Sequence, residues 1–101
     1  MLDRVYDALR RGAHDEALTL ARQFAAESPH DAQAHLALAQ AARLSGDKAT
    51  AQQAIARAVL LAPEDASMHM LRASFLIEEQ RLNEAQAALG RATTLDPNQF
   101  E

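Results

Sequence analysis

The sequence predicts an all-α fold built from three antiparallel helix pairs, and three observations lead to this prediction. Two sets of residues recur every 34 positions: Pro29, Pro63 and Pro97, and Ala17, Ala51 and Ala85. Each interval reads as two amphipathic helices joined by a short turn. Alanine and leucine are abundant, and the two-residue alternation of a β-strand is missing. A fixed period filled by a helix–turn–helix unit is typical of a stacked repeat array.

The composition limits the classes of function. The formal net charge is −4 without any block of like charge, so a nucleic-acid partner is not expected. The absence of cysteine excludes disulfides, thiolate metal sites and cysteine nucleophiles. No apolar run approaches the roughly 18 residues of a membrane span, and charges at Asp3 and Arg4 interrupt the N-terminal segment. We therefore expect no membrane insertion, no cofactor and a cytoplasmic location.

The first pair of helices begins at Leu2. Its first helix is predicted over Leu2–Arg11 and ends at Gly12, since glycine readily takes the left-handed conformation that closes a helix. The second helix begins near His14 and ends before Pro29, because proline cannot continue a helix. The predicted inward residues are Leu2, Val5, Ala8 and Leu9 in the first helix, and Ala17, Leu18, Leu20, Ala21 and Phe24 in the second.

The second pair is predicted over Ala32–Leu44 and Lys48–Leu61. Asp31 and Asp47 are the expected N-caps, and Gly46 supplies the turn between the two helices. The predicted inward residues are Leu36, Leu38, Ala39 and Ala42 in the third helix, and Ala51, Ala54, Ile55, Ala58 and Val59 in the fourth.

The third pair is predicted over Met68–Glu79, capped by Asp65, and over Asn83–Leu95. The turn between them has Gln80 where the first two units have glycine. Gly90 lies inside the last helix, where glycine costs about 1 kcal/mol relative to alanine, so we expect this helix to be the least rigid. Its predicted inward residues are Ala85, Leu89 and Ala92.

These columns resemble the tetratricopeptide repeat family, whose unit has 34 residues. The matching residues are Leu38, Ala39, Gly46, Ala51, Ile55, Ala58, Leu61 and Pro63 in the middle unit, and Ala73, Leu76, Ala85, Leu89, Ala92, Leu95 and Asp96-Pro97-Asn98 in the third. The resemblance implies a right-handed superhelix in a single domain, residues 1–101, with repeats at about 1–30, 31–64 and 65–98. The first unit departs from the pattern, because Ala21 and Phe24 exchange the usual large and small residues. Since Phe100 starts a further unit, we expect the N-terminal part of a longer chain.

The resemblance also implies a binding face, because the first helix of each family repeat lines the concave surface. The residues expected to bind a peptide there are Tyr6, Arg10, Gln33, Leu36, Gln40, Arg43, Ser67, Met70 and Ser74. Ala37 is expected on the same face. An aliphatic row beside a polar row suits a peptide that inserts apolar side chains, although the aliphatic residues would equally pack between helices. One subfamily grips chaperone carboxylates with Lys, Asn and Arg; the corresponding residues here are Leu2, Tyr6, Ala37, Ser67 and Leu71, so that activity is not expected.

The predicted function is a protein–protein interaction module without catalytic activity. His35 and His69 are equivalent residues, but no Asp, Glu or Cys joins them in a ligand pattern, so packing or solvent-facing roles are expected and no metal site. No phosphate loop or nucleophile motif is present. The alternative is a structural oligomerisation module that forms a homodimer through its uncapped last helix. A secretion-type chaperone with three repeats is less favoured, because its usual extra N-terminal helices are missing.

Overall fold

The computed structural model describes residues 1–96, and within that range it contains six α-helices and no strand. The helices are α1 (Leu2–Arg10), α2 (His14–Glu27), α3 (Ala32–Leu44), α4 (Lys48–Leu61), α5 (Ala66–Glu78) and α6 (Leu82–Leu95). The predicted all-α fold class is confirmed. None of these helices is both long and apolar enough to cross a membrane. The predictions that rest on Pro97 and Phe100 lie outside the described residues.

The chain divides into two compact units, Met1–Leu61 and Ala62–Glu101. Unit 1 contains α1 to α4, in which each helix packs on the next and α1 also contacts α3. Unit 2, described as far as residue 96, contains the pair α5 and α6. The helices of each pair are joined by a short turn, as the 34-residue pattern predicts.

Three aspartates start the helices that the sequence assigns to them. A side-chain oxygen of Asp31 accepts a hydrogen bond from the backbone N–H of Gln33 (2.9 Å), and Asp65 accepts one from that of Ser67 (3.0 Å). Asp47 accepts from the N–H of Thr50 at 3.1 Å and from its hydroxyl at 2.7 Å. These bonds satisfy backbone donors that have no partner within the helix.

The three turns within the helix pairs share one backbone conformation. Gly12 and Gly46 have positive φ values of 76° and 85°, as predicted for glycines that close helices. Gln80 occupies the equivalent position in unit 2 and has φ 60°. The repeat geometry therefore imposes the left-handed conformation even where the sequence has no glycine.

Small residues form the core of unit 1. Six of them are completely buried in one cluster that joins α1, α2 and α3: Val5, Ala8, Ala17, Ala21, Ala37 and Ala41. Alanine lets two helix backbones approach closely, so the seams between these helices carry little side-chain volume. The prediction that Ala37 lies on the binding face is wrong, because α3 turns that side toward α1 and α2 and the residue lies inside this cluster.

Polar contacts also link the two helix pairs of unit 1. The hydroxyl of Ser45, in the α3–α4 turn, donates to the carbonyl oxygen of His14 at the start of α2 (3.1 Å). Arg22 of α2 lies 3.2 Å from a carboxylate oxygen of Asp47. The hydroxyl and N–H of Thr50, with the charge of Arg22, hold the pKa of Asp47 below its ordinary value. Asp47 therefore both caps α4 and pairs with α2.

The core of unit 2 includes a cluster of four residues between α5 and α6, namely Ala73, Leu76, Ala85 and Ala88. Leu89 was predicted to point inward but is 36% exposed, whereas Ala85, Ala88 and Ala92 are buried. These three alanines recur at intervals of three and four residues and so share one side of α6. Leu89 lies at the margin of this side, about 40° around the helix from Ala85, and keeps part of its surface in solvent.

Candidate functional site

The nine residues predicted to bind a peptide are divided between the two units. Unit 1 holds Tyr6 and Arg10 on α1, and Gln33, Leu36, Gln40 and Arg43 on α3. Unit 2 holds Ser67, Met70 and Ser74 on α5. Since α1 and α3 contact each other, the structure places the six residues of unit 1 on adjacent helices.

Tyr6 and Gln40 combine partial burial with unused hydrogen-bonding groups. Both side chains are half-buried, and neither makes a hydrogen bond to another of the residues described. A phenol is protonated at neutral pH, and burial raises the pKa of Tyr6 further, so its hydroxyl can act as a donor. The amide of Gln40 offers two N–H donors and a carbonyl acceptor. These two side chains can therefore bond to polar groups of a ligand, and because they are half-buried they lose little conformational freedom on binding.

The aliphatic part of the predicted face lies mostly in the core. Leu36 is only 8% exposed, and Leu2 is partly buried against the cluster of Val5 and Ala8. Such leucines stabilise the contact between helices and leave little surface for a ligand. Any apolar contact in unit 1 must therefore be made at the edges of these side chains.

The remaining residues of unit 1 lie nearer to solvent. Arg10 is exposed, and its guanidinium lies 3.7 Å from the carboxylate of Asp7, a weak surface pair. Gln33 is exposed and its side-chain amide has no intramolecular bond within residues 1–96, while Arg43 is half-buried. Arg10 gives this surface an exposed cation, whereas Arg43 already has an interaction within the fold.

In unit 2 the predicted serines already use their hydroxyls. Ser67 donates to the capping carboxylate of Asp65, and Ser74 donates to the backbone carbonyl of Met70 at 3.2 Å. Each hydroxyl can still accept a hydrogen bond, but its single proton is committed. Met70 is half-buried. The three residues of α5 therefore offer a ligand less than Tyr6 and Gln40 do.

A pair of contacts that sequence reasoning missed involves the two histidines. The Nε2 atom of His35 lies 2.9 Å from the carbonyl oxygen of Pro29, and that of His69 lies 2.8 Å from the carbonyl oxygen of Pro63. A carbonyl oxygen only accepts, so Nε2 carries the proton in both rings. In the sequence, each histidine stands six residues after a proline, and this spacing recurs after 34 residues. That recurrence could have indicated the two contacts. Both histidines hold the connection that precedes their helix.

The part of the chain that the structure describes contains no group of three or more His, Cys, Asp or Glu side chains placed to hold a metal ion.

Comparison with known proteins places these features in context. A tetratricopeptide repeat family model matches residues 8–75, and a second one matches residues 66–99. No protein of curated function matches the chain.

Solved structures share the fold. The type III secretion chaperone SycD of Yersinia enterocolitica, in complex with a peptide of the translocator YopD, aligns with a TM-score of 0.88 at 16% identity, over 96% of this chain and 74% of SycD. The first tetratricopeptide repeat domain of Spaghetti (RPAP3), bound to the HSP90 peptide SRMEEVD, aligns with a TM-score of 0.87 at 22% identity, over 95% and 76% of the two chains. At these identities the likeness is one of fold.

Proposed function

The chain belongs to the tetratricopeptide repeat family, and from this premise we propose that it is an interaction module that binds a peptide of a partner protein on the α1–α3 surface of unit 1. The observation that carries the proposal is the open hydrogen-bonding capacity of half-buried Tyr6 and Gln40. Half-buried polar groups without a partner in the fold bond to water, and a ligand with matching groups can take the place of that water.

The chemistry of these groups favours an extended peptide. Its backbone presents N–H donors and carbonyl acceptors, and the amide of Gln40 can pair with both kinds of group. The phenol of Tyr6 adds one more donor and a flat apolar surface. Arg10, Gln33 and Arg43 would contact side chains or the backbone at the margins, and Ser67, Met70 and Ser74 are the corresponding residues of unit 2.

The similar structures support peptide binding as the class of activity, since the SycD and RPAP3 structures each contain a bound peptide. They do not extend the proposal to acidic chaperone tails. The positions that carry cations in that subfamily are apolar or uncharged here, and Ala37 is completely buried. The likeness to SycD is compatible with a secretion-type chaperone, but at 16% identity it concerns the fold alone.

A display selection from a random peptide library against the intact chain tests the proposal. We expect the recovered peptides to lose about tenfold in affinity on Gln40→Ala, and about fivefold on Tyr6→Phe, which removes only the hydroxyl. The matched control is Gln53→Ala, because Gln53 is an exposed glutamine on α4. Affinities would be measured by fluorescence anisotropy.

The control should bind within twofold of the parent chain, about 0.4 kcal/mol. Equal losses for Gln40→Ala and Gln53→Ala would contradict the placement on α1 and α3. Peptides insensitive to all three substitutions would show that the surface lies elsewhere.

Self-association through α6 is the second candidate, and exposed leucines favour it. Leu82 is 62% exposed and Leu89 is 36% exposed. Large apolar side chains on one helix face are typical of contact surfaces between proteins. Sedimentation of the parent chain and of variants with charged residues on this face tests it.

The proposal includes a cytoplasmic location and the absence of catalysis. The family consists in general of non-catalytic interaction modules. Fractionation of cells that express a tagged chain would test the location.

A further inference from the structure

Unit 2 contains a second surface feature, an open hollow between the start of α5 and the C-terminal half of α6. Its volume is about 540 Å³, within the range of ligand sites. Pro63 and His69 line it from the α5 side, and Ala87, Gly90, Arg91, Thr94 and Leu95 line it from α6. None of these residues belongs to the proposed peptide surface, so a ligand in the hollow would occupy a second, separate site.

His69 supplies a polar group to this hollow. The ring is only 3% exposed, and its Nε2–H donates to the carbonyl of Pro63 at 2.8 Å. In a neutral ring with that tautomer, Nδ1 is an acceptor. No residue of the described chain bonds to Nδ1. Nδ1 is not fully buried, so this acceptor can take a hydrogen bond from a ligand in place of water.

Gly90 leaves the opposite wall bare. An added Cβ at this position would meet nothing within 4 Å, so the wall is exposed backbone. One period earlier in the sequence, Ala56 and Gln53 stand where unit 2 has Gly90 and Ala87. Two larger side chains are thus replaced by smaller ones on the same side of α6. A flat group can therefore lie against the helix here.

Arg91 completes the chemistry. It is exposed, and it forms no ion pair with the residues described. A guanidinium beside an apolar wall is well placed to interact with the face of an aromatic ring. The hollow thus combines an apolar wall, a cation and an open acceptor.

We propose that this hollow binds the side chain of a tyrosine presented by a partner protein. The ring lies on the backbone of Gly90 with Pro63 and Leu95 at its edges, and Arg91 covers its face. The phenol O–H donates to Nδ1 of His69. This site is separate from the proposed peptide surface of unit 1, and either can exist without the other.

The test compares two probes that differ by one hydroxyl. N-acetyl-L-tyrosinamide and N-acetyl-L-phenylalaninamide are titrated into the ¹⁵N-labelled 101-residue chain and followed by NMR. We expect saturable shifts of the backbone amides of Gly90 and Arg91, a shift of the Nδ1 resonance of His69 with the tyrosine probe alone, and about fivefold weaker binding of the phenylalanine probe.

Two variants on α6 give the matched control. Gly90→Leu fills the hollow and should abolish binding, whereas Gln86→Leu places the same side chain at an exposed position outside the hollow and should bind as the parent chain does. Leucine is a better helix former than glycine, so Gly90→Leu is expected to fold, which circular dichroism checks.

Three results would overturn the proposal: no saturable shift in unit 2, equal affinity for the two probes, or undiminished binding by Gly90→Leu.

Discussion

Gln80 has the left-handed backbone conformation (φ 60°) at the turn between α5 and α6, where the equivalent turns of unit 1 have Gly12 and Gly46. For a residue with a Cβ, this conformation costs about 1–2 kcal/mol. The side chain is exposed, so no packing of its own compensates for the cost. The rest of the helix pair holds the turn in this geometry.

Replacing Gln80 by glycine should therefore stabilise the protein. Relief of the left-handed strain outweighs the greater flexibility of glycine in the unfolded chain, and we expect a net gain of about 0.5–1 kcal/mol in the free energy of unfolding. Urea denaturation followed by circular dichroism measures it. Gly46→Ala is the reciprocal control and should destabilise, because φ there is 85°. A lower unfolding midpoint for Gln80→Gly would contradict this account.

At the scale of single residues, the sequence predicted the features that depend on local chemistry. Asp31, Asp47 and Asp65 cap helices because a short carboxylate reaches nearby N–H groups wherever it precedes a helix. The bond from His69 to Pro63 is not a local feature of this kind, since it joins a helix to the loop six residues earlier. The 34-residue spacing placed Tyr6 and Gln40 in one polar row, but their half-burial depends on the packing of α1 and α3.

At the scale of helices, the seams between α5 and α6 depend on alanine. Ala85 is buried against Ala73 and Leu76, whereas Ala87, two residues further along α6, is exposed. Ala85 therefore limits how closely α5 and α6 approach each other, and Ala87 does not.

We predict that Ala85→Leu destabilises the protein by about 1–3 kcal/mol, because the three additional carbon atoms must fit between packed helices. The same substitution at Ala87 should change the free energy of unfolding by no more than about 0.5 kcal/mol. Thermal and urea denaturation of both variants provides the measurement. If the two variants were equally stable, Ala85 would not lie in a tight seam.

The sequence predicted where the helices begin and end better than it predicted which side of each helix is buried. Turn residues and caps define the ends, and all six helices end close to the predicted positions. Inward sides depend on contrast between apolar and polar positions, and alanine on several faces of α3 and α6 weakens that contrast. Ala37 and Leu89 were assigned to the wrong environment for this reason.

At the scale of the whole molecule, the sequence period treats the three repeats alike, whereas the structure groups the first two into unit 1. Specific side chains join those two repeats, among them the pair Arg22–Asp47 and the bond from Ser45 to His14. A period shows that units recur, but the contacts that join particular units depend on residues outside the repeating pattern.

The exposed leucines of α6 determine the behaviour expected in solution. Leu82 and Leu89 are separated by two helical turns and share one face of the helix. One helix face buries much less than the roughly 800 Å² per partner of a stable interface, so the expected self-association is weak. We predict a sedimentation coefficient that rises with protein concentration for the parent chain.

Charges on this face should prevent the association. The double variant Leu82→Glu/Leu89→Glu is expected to sediment as a monomer at every concentration, because dimerisation would bury like charges against each other. Leu60→Glu is the control, since Leu60 is 73% exposed on α4 and lies in the other unit. It should associate as the parent chain does. A parent chain that stays monomeric throughout, or a double variant that still associates, would exclude α6 as the contact and leave peptide binding as the function to be tested.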